Sequence, residues 1–273
     1  MSKISIIVKY DIAKIVSSRA VVGYVLSFVP LGLGLAYLGL LGFRELGLTG
    51  IGPISASLIN FVLLISGLVS LSLAALSIVS EKERGFLARV LSQPVSRREY
   101  LIGKYISILV AVVLSTAAGF GIAALFISTV LTPVELITYL KFVAIATVYL
   151  FSTTSIGMLI SVASRSRFDA ILSAIAIWFF FTTLYQMVIT YIDVVWRLSW
   201  TQLAATALAN PVEAARLMYV QTLDPNLIYL GQGGVYFAAA YGPYIWLLST
   251  ISLAAWGFAS IVLAIYIFSR ADI

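Results

Sequence analysis

The chain has 273 residues, of which 62% are hydrophobic and only 10% are charged, and its formal net charge is +6. Soluble domains carry about 25% charged residues, so this composition excludes a soluble protein and indicates an integral membrane protein. The sequence contains neither cysteine nor histidine, which excludes disulfides, thiolate metal sites and histidine-based catalysis, and we expect no bound metal.

The first 19 residues predict an amphipathic helix that lies along the membrane surface and leads into the first span. Its apolar residues recur on one face, and Lys3 and Lys14 lie toward the other face. The apolar face comprises Ile4, Ile7, Val8, Ile12 and Ile15. The alternative is a positively charged flank that only precedes the first span.

Six apolar stretches have the length of about 20 residues that a helix needs to cross a bilayer. None of them contains Asp, Glu, Lys or Arg. The predicted spans are residues 20–41, 54–79, 105–131, 142–163, 170–191 and 243–268. We therefore predict an all-α polytopic membrane protein that forms a single transmembrane domain over residues 1–273.

The basic residues predict the orientation of these spans. With the N-terminus in the cytoplasm, 13 of the 17 Lys and Arg residues fall on the cytoplasmic side and four fall outside. This bias follows the positive-inside rule and predicts a multi-pass protein of the cell membrane with both termini cytoplasmic. The same bias accounts for the net charge, so we expect no nucleic-acid partner.

The most polar segment of the chain is the connector between the second and third spans, residues 80–104, which is cytoplasmic in this orientation. It predicts a short helix over residues 80–92 with an apolar side that includes Phe86 and Leu87. A break follows at Gln93-Pro94, because proline disfavours helical backbone at the residue before it. A second helix is predicted to begin after Ser96 and to enter the membrane at Tyr105.

Five predicted helix starts carry a capping residue three positions before an acidic residue. The capping oxygen accepts a hydrogen bond from a free backbone N–H group, and the acid complements the helix dipole. The five pairs are Ser80 with Glu83, Ser96 with Glu99, Thr132 with Glu135, Ser166 with Asp169, and Asn210 with Glu213.

Residues 192–242 form a long loop outside the cell that is rich in Trp, Tyr, Leu and Ala. Loops of this length are usually functional or disordered, and this composition argues against disorder. We predict short helices over residues 200–209 and 211–220, packed on the outer mouth and partly dipping into the bilayer. The glycine-rich run at 231–234 lacks the lysine of a phosphate loop, and we interpret it as turns.

The chain lacks the Walker A motif of an ATPase, because Gly103-Lys104 has neither the upstream glycine nor the following Ser or Thr. The absence of acids and bases within the spans argues against proton-coupled transport. Small residues recur every four positions at 66/70/74 and 153/157/161, as in seams that let two helices approach closely. Among the remaining polar residues, the candidates for a substrate pathway are Asn60, Gln186 and Thr182.

Two motifs carry a resemblance to a known family. The run Glu81-Lys82-Glu83-Arg84-Gly85, followed by Leu91-Ser92-Gln93-Pro94-Val95-Ser96-Arg97-Arg98-Glu99-Tyr100-Leu101-Ile102-Gly103-Lys104, resembles the cytoplasmic loop of type-2 ABC exporter permeases. The six-span plan, the amphipathic start and the large last outer loop resemble that family over nearly the whole chain. The run Asn210-Pro211-Val212-Glu213-Ala214-Ala215-Arg216-Leu217 is similar to an outer-loop motif of the permease subunit in the nitrous-oxide-reductase maturation system.

The resemblance implies two permease subunits in the membrane and two separate ATPase subunits beneath them. This chain would bind no cofactor, since ATP and Mg²⁺ would sit on the ATPase. The implied coupling residues are Glu81, Lys82, Glu83, Arg84, Gly85, Phe86 and Leu87, with Phe86 and Leu87 as an apolar plug. The implied outer-loop residues are Asn210, Pro211, Glu213 and Arg216, where an extracytoplasmic accessory protein is a further partner to consider. The alternatives are an ATP-independent channel or carrier, or a polytopic scaffold.

Overall fold

The computed structural model describes residues 3–41, 59–92, 95–130, 136–242 and 244–270, and these residues form helices and turns only. The predicted cap at Thr132, the predicted break at Gln93-Pro94 and the predicted start of the last span at Pro243 lie outside them. The helices, in chain order, are α1 (Lys3–Val16), α2 (Arg19–Leu41), α3 (Ile59–Glu83), α4 (Phe86–Leu91), α5 (Arg97–Val130), α6 (Leu136–Ala163), α7 (Arg167–Trp196), α8 (Trp200–Ala209), α9 (Pro211–Leu223), α10 (Gly231–Tyr241) and α11 (Tyr244–Arg270).

Five of the six predicted spans correspond to helices that are long and apolar enough to cross a membrane, namely α3, α5, α6, α7 and α11. The first predicted span forms helix α2, which has 23 residues. Its side chains are described continuously over Val21–Pro30, and this apolar part alone is shorter than a crossing. The described part of the chain therefore supports an all-helical, multi-pass membrane fold, while the count of six spans stays a prediction.

Two ends of this bundle are distinguished by what they carry. One end, here called the N-terminal face, holds α1, the end of α3 and the starts of α5 and α7, which ion pairs join to one another. The other end, here called the loop face, holds α8, α9 and α10 between α7 and α11. The predicted N-terminal helix is confirmed as helix α1, and it packs along α5.

The connector between α3 and α5 differs from the prediction at its start. Helix α3 runs on to Glu83, and Ser80 lies inside it, where its hydroxyl donates to the carbonyl of Leu76. The predicted cap at Ser80 is wrong, because a helix that has already formed extends through polar residues without a new nucleus. The chain turns instead at Gly85, whose φ of +67° favours glycine, and α4 begins at the next residue.

The predicted caps at Ser96 and Ser166 are confirmed. The hydroxyl of Ser96 accepts from the Glu99 N–H at 3.2 Å, and the Glu99 carboxylate accepts from the Ser96 N–H at 2.9 Å. The hydroxyl of Ser166 accepts from the Asp169 N–H at 3.1 Å. These two caps fix where α5 and α7 begin on the N-terminal face.

Helix α6 lies at the centre of the bundle and packs against α3, α5 and α11. The predicted small-residue seams of the second and fourth spans meet each other there, a pairing that the sequence did not specify. The hydroxyls of Ser70 and Thr153 lie 2.7 Å apart, and a Cβ on Gly157 would stand 2.5 Å from the carbonyl oxygen of Leu71. Such close approach of two backbones is what small residues permit in membrane helices.

A π-helical segment at Val62–Ser66 interrupts the regular hydrogen bonding of α3. Two carbonyls of this segment accept bonds from other helices. The Tyr149 hydroxyl donates to the Leu63 carbonyl at 2.8 Å, and the Trp178 indole N–H donates to the Leu64 carbonyl at 2.9 Å. The π segment of α3 is therefore held by α6 and α7, and such segments often occur at functional sites.

The loop face is more helical than the sequence predicts. The predicted helices at 200–209 and 211–220 are found as α8 and α9, whereas the interpretation of residues 231–234 as turns is wrong, since they form the first turn of α10. The glycines allow close packing there: a Cβ on Gly234 would lie 2.3 Å from the carbonyl oxygen of Leu227. The fifth span also extends beyond its predicted end, and the loop starts at Arg197.

Candidate functional site: the coupling segment and the re-entrant loop

The predicted coupling residues divide into an exposed and a buried group. Lys82, Glu83, Arg84 and Gly85 are exposed, as is Phe86, whose side chain is 46% exposed. Leu87 differs from the expectation of an exposed plug, because it is 1% exposed and belongs to the main core cluster. Leu87 therefore anchors the short helix α4 to the bundle, while Phe86 faces away from it.

Glu81 lies in a buried ionic cluster that joins three helices. The Lys104 ammonium lies 2.7 Å from a Glu81 oxygen and 2.9 Å from an Asp11 oxygen. The Tyr100 hydroxyl donates to the other Glu81 oxygen. Because an ammonium and two carboxylates are largely removed from water here, loss of one partner would leave buried charge without compensation. The cluster fixes the end of α3 against α1 and α5.

Glu83 holds the first residue of α7 from the neighbouring helix α3. One carboxylate oxygen accepts from the Arg167 backbone N–H at 2.7 Å, and the other lies 2.7 Å from the Arg167 Nε. The Arg167 guanidinium also donates to the Ser80 carbonyl at 3.4 Å. A carboxylate at a helix N-terminus satisfies a free N–H group and complements the helix dipole. Glu83 thus caps α7 from outside.

These contacts reduce the set of predicted coupling residues whose charged groups are available at the surface. The carboxylates of Glu81 and Glu83 are engaged within the chain, so the surface that α4 and its flanks offer consists of basic and aromatic side chains. This surface, here called the coupling surface, comprises Lys82, Arg84, Phe86 and Arg89.

Asn210 lies between α8 and α9 on the loop face and bonds to two elements. Its side-chain oxygen accepts from the Val212 N–H at 2.8 Å and caps α9, and Pro211 occupies the first helical position, as the sequence predicts. Its amide nitrogen donates to the Phe181 carbonyl at 2.8 Å. Phe181 lies in a second π segment, Phe180–Leu184, which interrupts α7. One side chain therefore caps α9 and supplies a donor to the irregular part of α7.

The turn at Asn210 lies deep within the bundle. The carbonyl of Leu208 accepts from the Ser252 hydroxyl, and the carbonyl of Ala209 accepts from the Trp256 indole at 3.0 Å. Ser252 and Trp256 lie about two and three turns into α11, which corresponds to a depth of roughly 12–18 Å along that helix. The predicted outer loop is therefore re-entrant, and α9 packs between α6 and α11.

Glu213 and Arg216 lie on α9 and pair with each other at 2.8 Å. Burial raises the pKa of the Glu213 carboxyl, and the neighbouring Arg216 opposes that rise. Glu213 also lines a cavity of about 240 Å³ on the loop face, together with Gln186, Tyr185, Trp200 and Phe237. The cavity combines aromatic walls with an amide and a paired carboxylate.

The three candidate pathway residues lie in different surroundings. Gln186 is exposed and lines the loop-face cavity. Thr182 lies one turn earlier in the π segment of α7 and donates to the Trp178 carbonyl at 2.8 Å. Asn60 is exposed at the start of α3, away from that cavity. The structure therefore groups Gln186 with Thr182 on α7 and separates Asn60 from them.

Sequence reasoning missed Asp11, Lys104 and Arg167 as site residues. Asp11 could have been noticed because it is an acid on an otherwise apolar helix face. Lys104 could have been noticed because it stands where a polar segment meets an apolar one. Their partners lie far away in the sequence, so pattern alone does not pair them. Trp178 was likewise unremarkable within an apolar span.

Comparisons with known proteins agree with this architecture. The family described as "ABC-2 family transporter protein" matches residues 5–273. The chain is 28% identical over 273 residues to "Probable ABC transporter permease protein NosY" of Pseudomonas aeruginosa, covering 98% of both proteins. It is 27% identical over 279 residues to the protein of the same name from Stutzerimonas stutzeri, covering 99% of both. An all-helical, multi-pass chain matched over nearly its whole length by this family belongs to the ABC-2 family of transporter proteins.

Proposed function

We propose that this chain is the membrane permease subunit of an ABC exporter and that a separate ATPase subunit drives it from the N-terminal face. ATP and Mg²⁺ would be bound by that ATPase. The observation that carries the proposal is helix α4, which is short, stands at the end of a membrane-crossing helix, and presents Phe86 outward while Leu87 fixes it to the core.

The coupling surface fits a docking role. Its basic side chains and its exposed ring suit a partner groove that combines acidic residues with an apolar pocket. The corner at Gly85 sets the direction of α4, so force applied to α4 reaches the end of α3 two residues earlier. Nucleotide-driven movement of the ATPase would in this way bias the arrangement of the helices.

We further propose that two copies of the chain pair in the membrane. Helix α7 supports this, because only 6% of its apolar window is buried within the chain. Large side chains are exposed along its length, including Leu172, Phe179, Met187 and Val195. A second copy would cover part of this surface, and lipid would cover the rest.

The orientation and the pathway complete the proposal. The N-terminal face carries most of the basic residues and would face the cytoplasm. Both termini would then lie inside, with six spans in the cell membrane. Thr182 and Gln186 would belong to the substrate pathway on α7, with Asn60 as a third contributor near the loop face. The loop face, which includes Glu213 and Arg216, would be the docking site of an extracytoplasmic accessory protein.

Co-purification from the native membrane tests the function. We expect the wild-type chain to retain an ATP-hydrolysing subunit in nanodiscs, and we expect Phe86→Ala to lose most of it. The matched control is Phe258→Ala, which removes an exposed ring from α11. Absence of an ATPase from the wild-type complex would contradict the proposal and favour an ATP-independent carrier. Equal retention by both variants would contradict docking at α4.

A further inference from the structure

Helix α7 is the membrane-crossing helix that the rest of the described chain holds least. Its buried residues Ala170 and Ala174 pack against Leu71, Ala75 and Val79 of α3 near the N-terminal face. The same cluster includes Ile156 and Ile160 of α6, and further along α7 the Phe181 ring packs edge-on against Trp256 of α11. The remaining links described here are polar bonds. A helix held in this way moves at a lower cost than one that is buried on several sides.

The end of α3 holds the first residue of α7 in two ways at once. Glu83 accepts from the backbone N–H of Arg167 and pairs with its guanidinium, while the carbonyl of Ser80 accepts from the same guanidinium. The two bonds to Glu83 constrain both the position of the α7 backbone and the direction of the Arg167 side chain. Displacement of Glu83 therefore displaces the start of α7.

Glu83 stands two residues before the corner at Gly85, where α4 begins. The other carboxylate at this end of α3, Glu81, is tied to α1 and α5 through Lys104 and Asp11, whose side chains are only 12% and 8% exposed. That buried cluster resists movement. The Glu83 link, in contrast, is about one-third exposed on both sides and leads to the least buried span.

A second link holds α7 near its middle. Asn210 donates to the Phe181 carbonyl within the π segment, and Asn210 is itself fixed at the N-terminus of the buried helix α9. The part of α7 before the π segment is therefore held by α3, and the part after it meets the re-entrant loop. A π segment between two attachments is a place where a helix changes direction.

We infer that the Glu83–Arg167 link transmits movement of α4 to α7, which makes Glu83 and Arg167 positioning residues of the transport cycle. This inference rests on the proposed function, in which an ATPase acts on α4. It assigns α7, rather than the buried helix α5, as the span that responds first. Asn210 then defines where that response meets the loop face.

Cysteine labelling tests this inference directly, because the natural chain contains no cysteine. Thr190→Cys places a single thiol at an exposed position of α7 beyond the π segment. The complex with its co-purified ATPase is treated with a water-soluble maleimide, without nucleotide and with Mg²⁺, ATP and vanadate. We expect the labelling rate of Thr190→Cys to change with nucleotide, and we expect Glu83→Gln and Arg167→Gln to abolish that change.

The two variants separate movement from folding. Glu83→Gln keeps an oxygen that accepts from the Arg167 N–H, so α7 stays capped while the ion pair is lost. Arg167→Lys keeps the charge and should restore part of the nucleotide response. Arg165→Gln removes an exposed arginine two residues away and should keep the full response.

The outcomes are distinct. A nucleotide-dependent labelling rate that survives in Glu83→Gln and Arg167→Gln would overturn the inference, as would a wild-type rate that does not depend on nucleotide. Failure of the wild-type chain to retain an ATPase would overturn the proposed function, and the inference with it. Loss of the response with the ATPase still bound supports the inference.

Discussion

Helices α6 and α7 follow each other in the sequence and are both apolar, yet the chain holds them in opposite ways. The apolar window of α6 is 67% buried, and that of α7 is 6% buried. Helix α6 meets its neighbours through small residues and buried hydroxyls along its length. Helix α7 is attached by one small apolar cluster near its start and by a few polar and ring contacts at its start and middle. Similar hydropathy therefore yields a buried helix in one case and a peripheral helix in the other.

The same contrast recurs within one turn of α3. Glu81 is buried in a cluster with Lys104 and Asp11, and Glu83 forms a pair with Arg167 that is about one-third exposed. Buried ion pairs are costly to break, and exposed pairs add little stability. Glu81 is therefore suited to hold helices in place, and Glu83 to connect them without fixing them.

The largest expected effect is a loss of stability when the buried cluster of Glu81, Asp11 and Lys104 loses its lysine. Lys104→Met would leave the carboxylates of Asp11 and Glu81 buried without a counter-charge, at a cost of roughly 3–5 kcal/mol. Thermal unfolding of the purified protein in detergent measures the loss. The control is Lys14→Met, which removes an exposed lysine from α1. Equal unfolding temperatures for the two variants would show that the cluster contributes nothing.

A second prediction concerns the buried helix α6 itself. Gly157→Ala would place a methyl group 2.5 Å from the Leu71 carbonyl oxygen and force α3 and α6 apart. Overpacking of this kind costs about 1–3 kcal/mol. Gly121→Ala is the matched change, since the nearest atom to its Cβ is the Tyr139 hydroxyl at 3.9 Å, and it should be close to neutral. Unfolding temperatures of both variants decide the point, and a stable Gly157→Ala would refute the seam.

A third prediction addresses the middle attachment of α7. Asn210→Ala removes the cap of α9 and leaves the Phe181 carbonyl without its donor, at a combined cost of roughly 2 kcal/mol. Asn210→Ser retains a capping oxygen and should recover about half of that loss. Asn226→Ala, an exposed change on the loop face, serves as the control in the same unfolding measurement. Full recovery by serine would mean that the bond to Phe181 is unimportant.

The smallest expected loss of stability, in Arg167→Gln, is the most direct test of the difference between the exposed and the buried ion pairs. Arg167→Gln should lower the free energy of unfolding by about 1 kcal/mol or less, because the ion pair is partly exposed. An unfolding temperature close to that of the wild type, beside a large loss in Lys104→Met, is the expected result. A loss as large as that of Lys104→Met would show that the two links are equivalent and that α7 belongs to the rigid scaffold.

The sequence alone predicted features that depend on local patterns. Apolar length placed five membrane-crossing helices, and the caps at Ser96, Ser166 and Asn210 marked helix starts correctly, since capping involves residues two or three positions apart. The same pattern failed at Ser80, where the preceding apolar helix simply continues. A local motif cannot report whether a helix has already begun upstream.

Features that depend on distant partners could not be predicted in this way. Tertiary structure is needed to see that Leu87 points into the core and that Asn210 bonds to Phe181. It is also needed to pair Glu81 with Lys104 and Glu83 with Arg167. The glycines at 231–234 resemble turn residues, but close packing against Leu227 explains at least Gly234. Glu81, Glu83 and Asn210 could be recognised in the sequence, but the residues that they bond to could not.

The π segment of α7 has a consequence for how this helix tolerates change in length. Each residue of an α-helix advances the direction of its side chains by about 100° and its axis by roughly 1.5 Å. The widened turn at Phe180–Leu184 absorbs such an offset. Deleting one residue there would leave a continuous, equally apolar helix, yet every side chain beyond it would point to a new side. Gln186 would then leave the cavity although the hydropathy of the span would be unchanged. A relative with one residue fewer in this segment would therefore keep a membrane-crossing helix, but the side chains of its second half would face different directions.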